Sequence, residues 1–178
     1  MDPNRLRIGA IAAVAIVVAV IVWLIVKDDG NDNKSGQSAP PAVAASVQQL
    51  RDLQKTVGHT VYWAGPRSGS TLELTQVRGN VFIRYLPSGT GLGDPRPNFL
   101  TIGTYPKPNA LKVLTRLARR PENKSDKLDG GGLAVSSGSR PQSVYVAYPG
   151  SNVQVEVYDP SASRARRLVL SGRVKPIR

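Results

Sequence analysis

The sequence predicts an amino-terminal transmembrane helix followed by an α+β domain of antiparallel β-hairpins and about three helices. Three observations carry that prediction. The block Ile8–Val26 runs 19 residues without a charged or strongly polar side chain, and a polar stretch with no large apolar residue follows it directly. From residue 42 onward, apolar positions alternate between stretches of period near 3.6 and stretches of period two.

A helix of that block's length covers roughly 28 Å, close to the ~30 Å hydrocarbon core of a bilayer. Twelve of its residues are Ile, Val or Leu, each favouring insertion by about 0.3 to 0.6 kcal/mol. Trp23 lies near one end, and Arg5, Arg7 and Lys27 can reach the headgroups from either side. A cleaved signal peptide fits less well, because the block exceeds a usual signal core and the nearest Ala-x-Ala, Ala42-Val43-Ala44, lies far beyond Val26. A buried helix of a soluble domain would show a polar side, and this one has none. Arg5 and Arg7 are matched by Lys27 and Lys34, so the positive-inside comparison is a tie. The amino-terminal amine and the acidic run Asp28–Asp32 decide it. Residues 1–7 form a short cytoplasmic tail, residues 8–26 engage the lipid bilayer, and the domain lies outside.

Residues 27–41, with DDGNDNKSGQSAPP at their heart, are a flexible linker. The domain over 42–178 then opens with a helix, in which Val43, Val47, Leu50, Leu53 and Val57 recur at helical spacing, Ser46 and Gln49 stand as a capping box, and Gly58 is the stop. Period-two strands follow over Thr60–Ala64, Thr71–Val77, Val81–Leu86 and Phe99–Tyr105. Gly79-Asn80 is the expected two-residue turn, which sets Leu74 opposite Tyr85 and Thr75 opposite Arg84, with Glu73 diagonal to that arginine. A second helix runs from Pro108 to Arg120 on Leu111, Leu114, Leu117 and Ala118, and Pro121 ends it. The polar, glycine-rich segment 122–132 reads as a mobile loop. Strands resume at Leu133–Val135, Ser143–Tyr148 and Val153–Tyr158. Pairing Tyr148 with Val153 places Val144, Val146, Val155 and Val157 on one face and Tyr145, Gln154, Glu156 and Tyr158 on the other. A third helix begins at Asp159-Pro160, presents Ala162, Ala165, Leu168 and Val169, and closes at Gly172. Hairpins 74–87 and 147–160, each ending in proline, raise the possibility of a duplicated hairpin and helix unit, which recurring hairpin grammar would explain as well.

The stretches VGHTVYWAGPRSGSTLELT, VFIRYLPSGTGLGD and FLTIGTYPKPNAL resemble a family of uncharacterised single-pass membrane-anchored proteins of high-GC Gram-positive bacteria. The resemblance spans most of the domain. It implies an amino-terminal anchor and a small domain, and it brings no activity and no site residues.

Much chemistry is excluded by composition. The 178 residues contain no cysteine and one histidine, His59, so thiolate metal sites, multi-histidine sites and a cysteine nucleophile are out, and no cofactor is expected. His59 could serve as a base, yet no nucleophile or carboxylate motif stands near it in sequence. Gly89–Gly93 superficially resembles a phosphate loop but lacks the Lys-Ser/Thr and leads to Asp94-Pro95-Arg96-Pro97 rather than a helix. Glu73 and Glu156 could form a two-carboxylate glycosidase pair; the ordinary reading is solvated cross-strand partners for arginine.

Charge is the stronger signal. The chain carries 24 Lys and Arg against 12 Asp and Glu, and its whole excess of +12 falls in residues 42–178. Arg116, Arg119 and Arg120 share a helical face, while Arg164, Arg166 and Arg167 head a basic carboxyl-terminal region. Such surfaces attract polyanions. Outside a bacterial membrane these are anionic lipids or cell-wall polymers; nucleic acid is not expected, since no recognition helix or RNP motif is present. The sequence therefore predicts a membrane-tethered, extracytoplasmic, non-enzymatic binding or envelope-structural module. The alternative is a membrane-anchored hydrolase acting on an envelope substrate, which a convergent pocket around His59 or Glu73 would favour.

Overall fold

The computed structural model describes residues 41–178. The tail 1–7, the transmembrane segment 8–26 and all of the linker except Pro41 lie outside the described residues. Among the described residues no helix is long and apolar enough to cross a membrane. In chain order the elements are β1 (Val43–Ala44), α1 (Val47–Val57), β2 (Tyr62–Trp63), β3 (Ser70–Val77), β4 (Asn80–Pro87), β5 (Thr101–Pro106), α2 (Ala110–Ala118), β6 (Lys124–Lys127), a 3-10 turn (Asp129–Gly131), β7 (Leu133–Ser136), β8 (Ser143–Ala147), β9 (Val153–Tyr158), α3 (Ala162–Leu170) and β10 (Lys175–Pro176). The domain is thus α+β with antiparallel sheet and three α-helices.

Local chemistry sets most boundaries. The Ser46 hydroxyl accepts from the Gln49 amide at 3.1 Å while the Gln49 side chain accepts from the Ser46 amide at 2.7 Å, and Gly58 closes α1 at φ +71°. That box starts the helix at Val47, so Val43 falls outside it and pairs with Leu74 as part of β1. In the β3–β4 hairpin the two turn residues are Arg78 and Gly79, at φ +48° and +82°, the double positive φ of a I′ turn. Asn80 therefore joins β4 opposite Val77, and Glu73 stands directly opposite Arg84. The turn lies one residue earlier than the Gly-Asn signal suggests. A one-residue shift at the turn moves the register by two, so every side chain keeps its expected face.

Eight strands form one antiparallel sheet in the order β1-β3-β4-β5-β9-β8-β7-β6, and β2 pairs separately with β10. Alternation gives each strand two sides, and both sides of the sheet are covered. One carries Ile83, Ile102, Val144, Val146, Val155 and Val157 and is packed by Leu50 of α1, Ala165 and Val169 of α3, and the β2–β10 ribbon. On the other, α2 packs Ala110 and Leu114 against Val135, Tyr145 and Ala147. The Tyr145 and Glu156 side is therefore not solvated, as its polarity suggests, but buried.

Three further differences have plain causes. Part of the segment expected to be a loop, Lys124–Lys127, is the edge strand β6 paired with β7; an edge needs only backbone partners, and charged side chains are normal there. Residues 60–64 yield only the two-residue β2, which leaves the main sheet to pair with the carboxyl-terminal tail. Hairpins 74–87 and 147–160 do not occupy equivalent places. The first is followed by β5 before any helix and the second leads straight into α3.

Candidate functional site

Among the described residues, His59, Glu73, Glu156 and the glycine segment 89–93 are held by local partners rather than set around the cleft beside the third helix. Both ring nitrogens of His59 sit against backbone carbonyls, Nδ1 3.0 Å from Thr60 O and Nε2 2.7 Å from Gly79 O, tying the entry of β2 to the β3–β4 turn. Glu73 is 0% exposed and accepts from Arg84 Nη1 at 2.6 Å and from the Gly93 amide at 2.5 Å. The glycine-rich segment 89–93 is thus tied to a buried carboxylate of the sheet. Glu156 is 3% exposed, and it accepts from the Tyr105 hydroxyl at 2.8 Å and the Ser143 hydroxyl at 2.6 Å. Burial, with the Glu156 charge adding to it, pushes the Tyr105 phenol well above its ordinary range and that of Tyr145 up to about 12. Gly103 makes this possible, since a β-carbon there would stand 2.7 Å from the Tyr105 hydroxyl. The cluster is a satisfied core network closed to solvent.

An open cleft lies elsewhere. A cleft of about 440 Å³ runs beside α3, lined by Ala64, Tyr85, Leu100 and Leu168 together with Arg67, Arg164, Arg167, Arg173 and Asp159. Its size is that of an ordinary small-ligand pocket. Two long-range pairings build it: β10 against β2 brings the chain around Arg173 beside the 62–67 segment, and α3 packed on β8 and β9 presents Arg164 and Arg167. Asp159 is buried and accepts from the Ser161 amide at 2.8 Å and from Arg164 Nε and Nη2, each at 2.9 Å. It spends its charge locating one arginine. Arg67, Arg167 and Arg173 have no carboxylate partner among the described residues.

Of the six arginines expected to form a patch, only Arg164 and Arg167 line this cleft. Arg166 turns to β6, where its guanidinium meets Asp126 at 2.6 Å. Arg116, Arg119 and Arg120 belong to α2 and its C-terminal end, on the opposite side of the sheet. Arg67 and Arg173 lie 106 residues apart in sequence with no local signal that pairs them, and the β2–β10 pairing brings their segments together.

Tyr85 forms part of the cleft wall, accepting from the Ala64 amide at 2.8 Å and donating to Gly65 O at 3.1 Å. Burial pushes its phenol up to about 12, although Arg173 and Arg67 pull the other way. In the unfolded chain the phenol titrates near 10, so the folded state holds this proton more tightly. The stability that results is complete below about pH 10 and drains as pH rises toward 12. Tyr85→Phe should start less stable, having lost two hydrogen bonds, and its alkaline melts should decline less steeply over that window. A decline as steep as wild type would place the titrating phenols elsewhere.

Comparison with protein-family models, with curated proteins and with solved structures finds no match to this chain.

Proposed function

We propose that the chain is a membrane-tethered, extracytoplasmic, non-enzymatic binding module that captures an anionic ligand of the cell envelope in the cleft beside α3. One observation carries this reading: four arginines converge on one cavity whose single carboxylate is already engaged by one of them. Guanidinium groups against an apolar wall attract oxyanions more strongly than the same charges spread over open surface, because the wall lowers the local dielectric. The apolar block 8–26 supplies the tether, and a tether raises the local concentration of a membrane-proximal ligand, so a weak site suffices. Anionic lipid headgroups and wall polymers share the phosphate chemistry this cleft would bind.

The test is cosedimentation of a cooperatively melting 42–178 segment with anionic vesicles and with isolated wall material. Binding should be present at low salt and mostly gone at 1 M, where the Debye length falls to about 3 Å from about 10 Å at 0.1 M. Charge reversal of Arg164, Arg167 and Arg173 together should abolish it. The same change at Arg116, Arg119 and Arg120 should leave most of it. No binding at low salt, or equal losses from the two sets, would overturn the assignment.

A further inference from the structure

We infer that the cleft recognises a phosphomonoester, a terminal phosphate on a small head group, rather than the phosphodiester repeat of a polymer; this rests on the reading of the cleft as an anion site. Stoichiometry is the first ground. Arg67, Arg167 and Arg173 are three guanidinium groups with no carboxylate partner among the described residues. A monoester presents three terminal oxygens and a charge of about −1.5 to −2 at neutral pH, whereas a diester presents two terminal oxygens and one charge.

The cation type is the second ground. Every cation lining the cleft is arginine, although lysines stand elsewhere in the domain at positions 55, 107, 112, 124, 127 and 175. Arginine's planar fork matches oxyanion geometry two bonds at a time, while an ammonium acts as a point charge. Shape is the third. The cavity measures about 440 Å³, room for one head group, and Ala64, Leu100 and Leu168 give it an apolar wall that an ester substituent can cover. Asp159 is a positioning residue: it anchors Arg164 and, being engaged by that arginine and by the Ser161 amide, does not face the phosphate as a free charge.

The experiment uses the full chain in phosphatidylcholine nanodiscs, titrated calorimetrically with glycerol 3-phosphate, inorganic phosphate and the diester dimethyl phosphate. In parallel, docking to separate vesicles of phosphatidic acid or phosphatidylglycerol is compared at equal surface charge. The monoesters should bind one to one, about tenfold or more tighter than the diester. Arg167→Lys keeps the charge and loses the fork, so it should cost monoester affinity about tenfold. Arg119→Ala, on the other side of the sheet, should leave that affinity within about twofold. A preference for phosphatidic acid vesicles assigns the phosphate to a lipid head group; monoester binding without that preference assigns it to a soluble phosphate ester. Equal affinity for monoester and diester, or a wild-type affinity in Arg167→Lys, overturns this inference and leaves anion capture standing. Absence of binding to every anion at low salt overturns both.

Discussion

Val155→Asp is expected to abolish cooperative folding of the domain. Val155 is buried at the centre of β9, paired with Val146 of β8 on one side and Thr104 of β5 on the other. Its side chain belongs to the core that α1, α3 and the β2–β10 ribbon cover. A carboxylate there finds no cation, and burying one unpaired costs several kcal/mol even after relaxation. The loss of the valine's own burial adds about 1.5 to 3 kcal/mol. A domain of this size has roughly 5 to 15 kcal/mol of stability to lose, so the sum removes most or all of it. The measurement is far-ultraviolet circular dichroism through a thermal melt, beside Thr71→Asp, an exposed position on β3 that should melt as wild type does. A wild-type melt for Val155→Asp would mean that Val155 does not stand in the packed core beneath α1 and α3.

That prediction follows from the sequence and survives in the structure because it needs only period and pairing. Tyr145 stands opposite Glu156 and Val146 opposite Val155, the register implied by the Pro-Gly-Ser turn, and the valines of β8 and β9 share the face packed by α1 and α3. Local signals also located α1, through Ser46, Gln49 and Gly58. Elements with no local signal were missed. Lys124–Lys127 contains no apolar residue, and Lys175–Pro176 is a strand only because Trp63 and Tyr62 lie opposite it. The β3–β4 turn was misplaced by one residue because Arg78 takes a positive φ, which sequence preference assigns to Asn or Gly rather than to arginine.

The cleft shows the same division. Arg164 and Arg167 were legible as a basic helical stretch, but helical spacing does not say which arginine meets a carboxylate. Asp159 claims Arg164 and Asp126 claims Arg166, the latter across 40 residues. Arg67 sits in a turn and Arg173 in a tail, with nothing in either neighbourhood to connect them. The arginines of α2 and those of α3 stand on opposite sides of the sheet for a topological reason. Successive strands alternate direction, and whether a helix returns over the front or the back of the sheet depends on loop paths that charge patterning does not encode.

Glu73 and Arg84 supply the second large expected effect. Read as a solvated pair on a polar face, they are instead 0% and 6% exposed, because the segment between β4 and β5 folds over them. Arg84 donates through Nη2 to Asp94 O at 2.7 Å and Arg96 O at 3.2 Å, and its guanidinium lies 5.0 Å from the centre of the Phe99 ring. Glu73 holds the Gly93 amide, while the Arg96 fork on Asp94 keeps that carboxyl low, at about 2. Removing one member strands the other as a buried charge, so Glu73→Leu and Arg84→Met should each cost about 3 to 5 kcal/mol. The double variant should cost clearly less than the sum, since two apolar side chains then face each other, although the Gly93 amide and the carbonyls of residues 94 and 96 lose their partners. Denaturant melts of the two single variants and the double variant make the cycle. In thermal terms each single change should lower the midpoint by on the order of 10 °C. Strictly additive losses would show that the pair is not coupled, and the segment over it would then have to be held by backbone contacts alone.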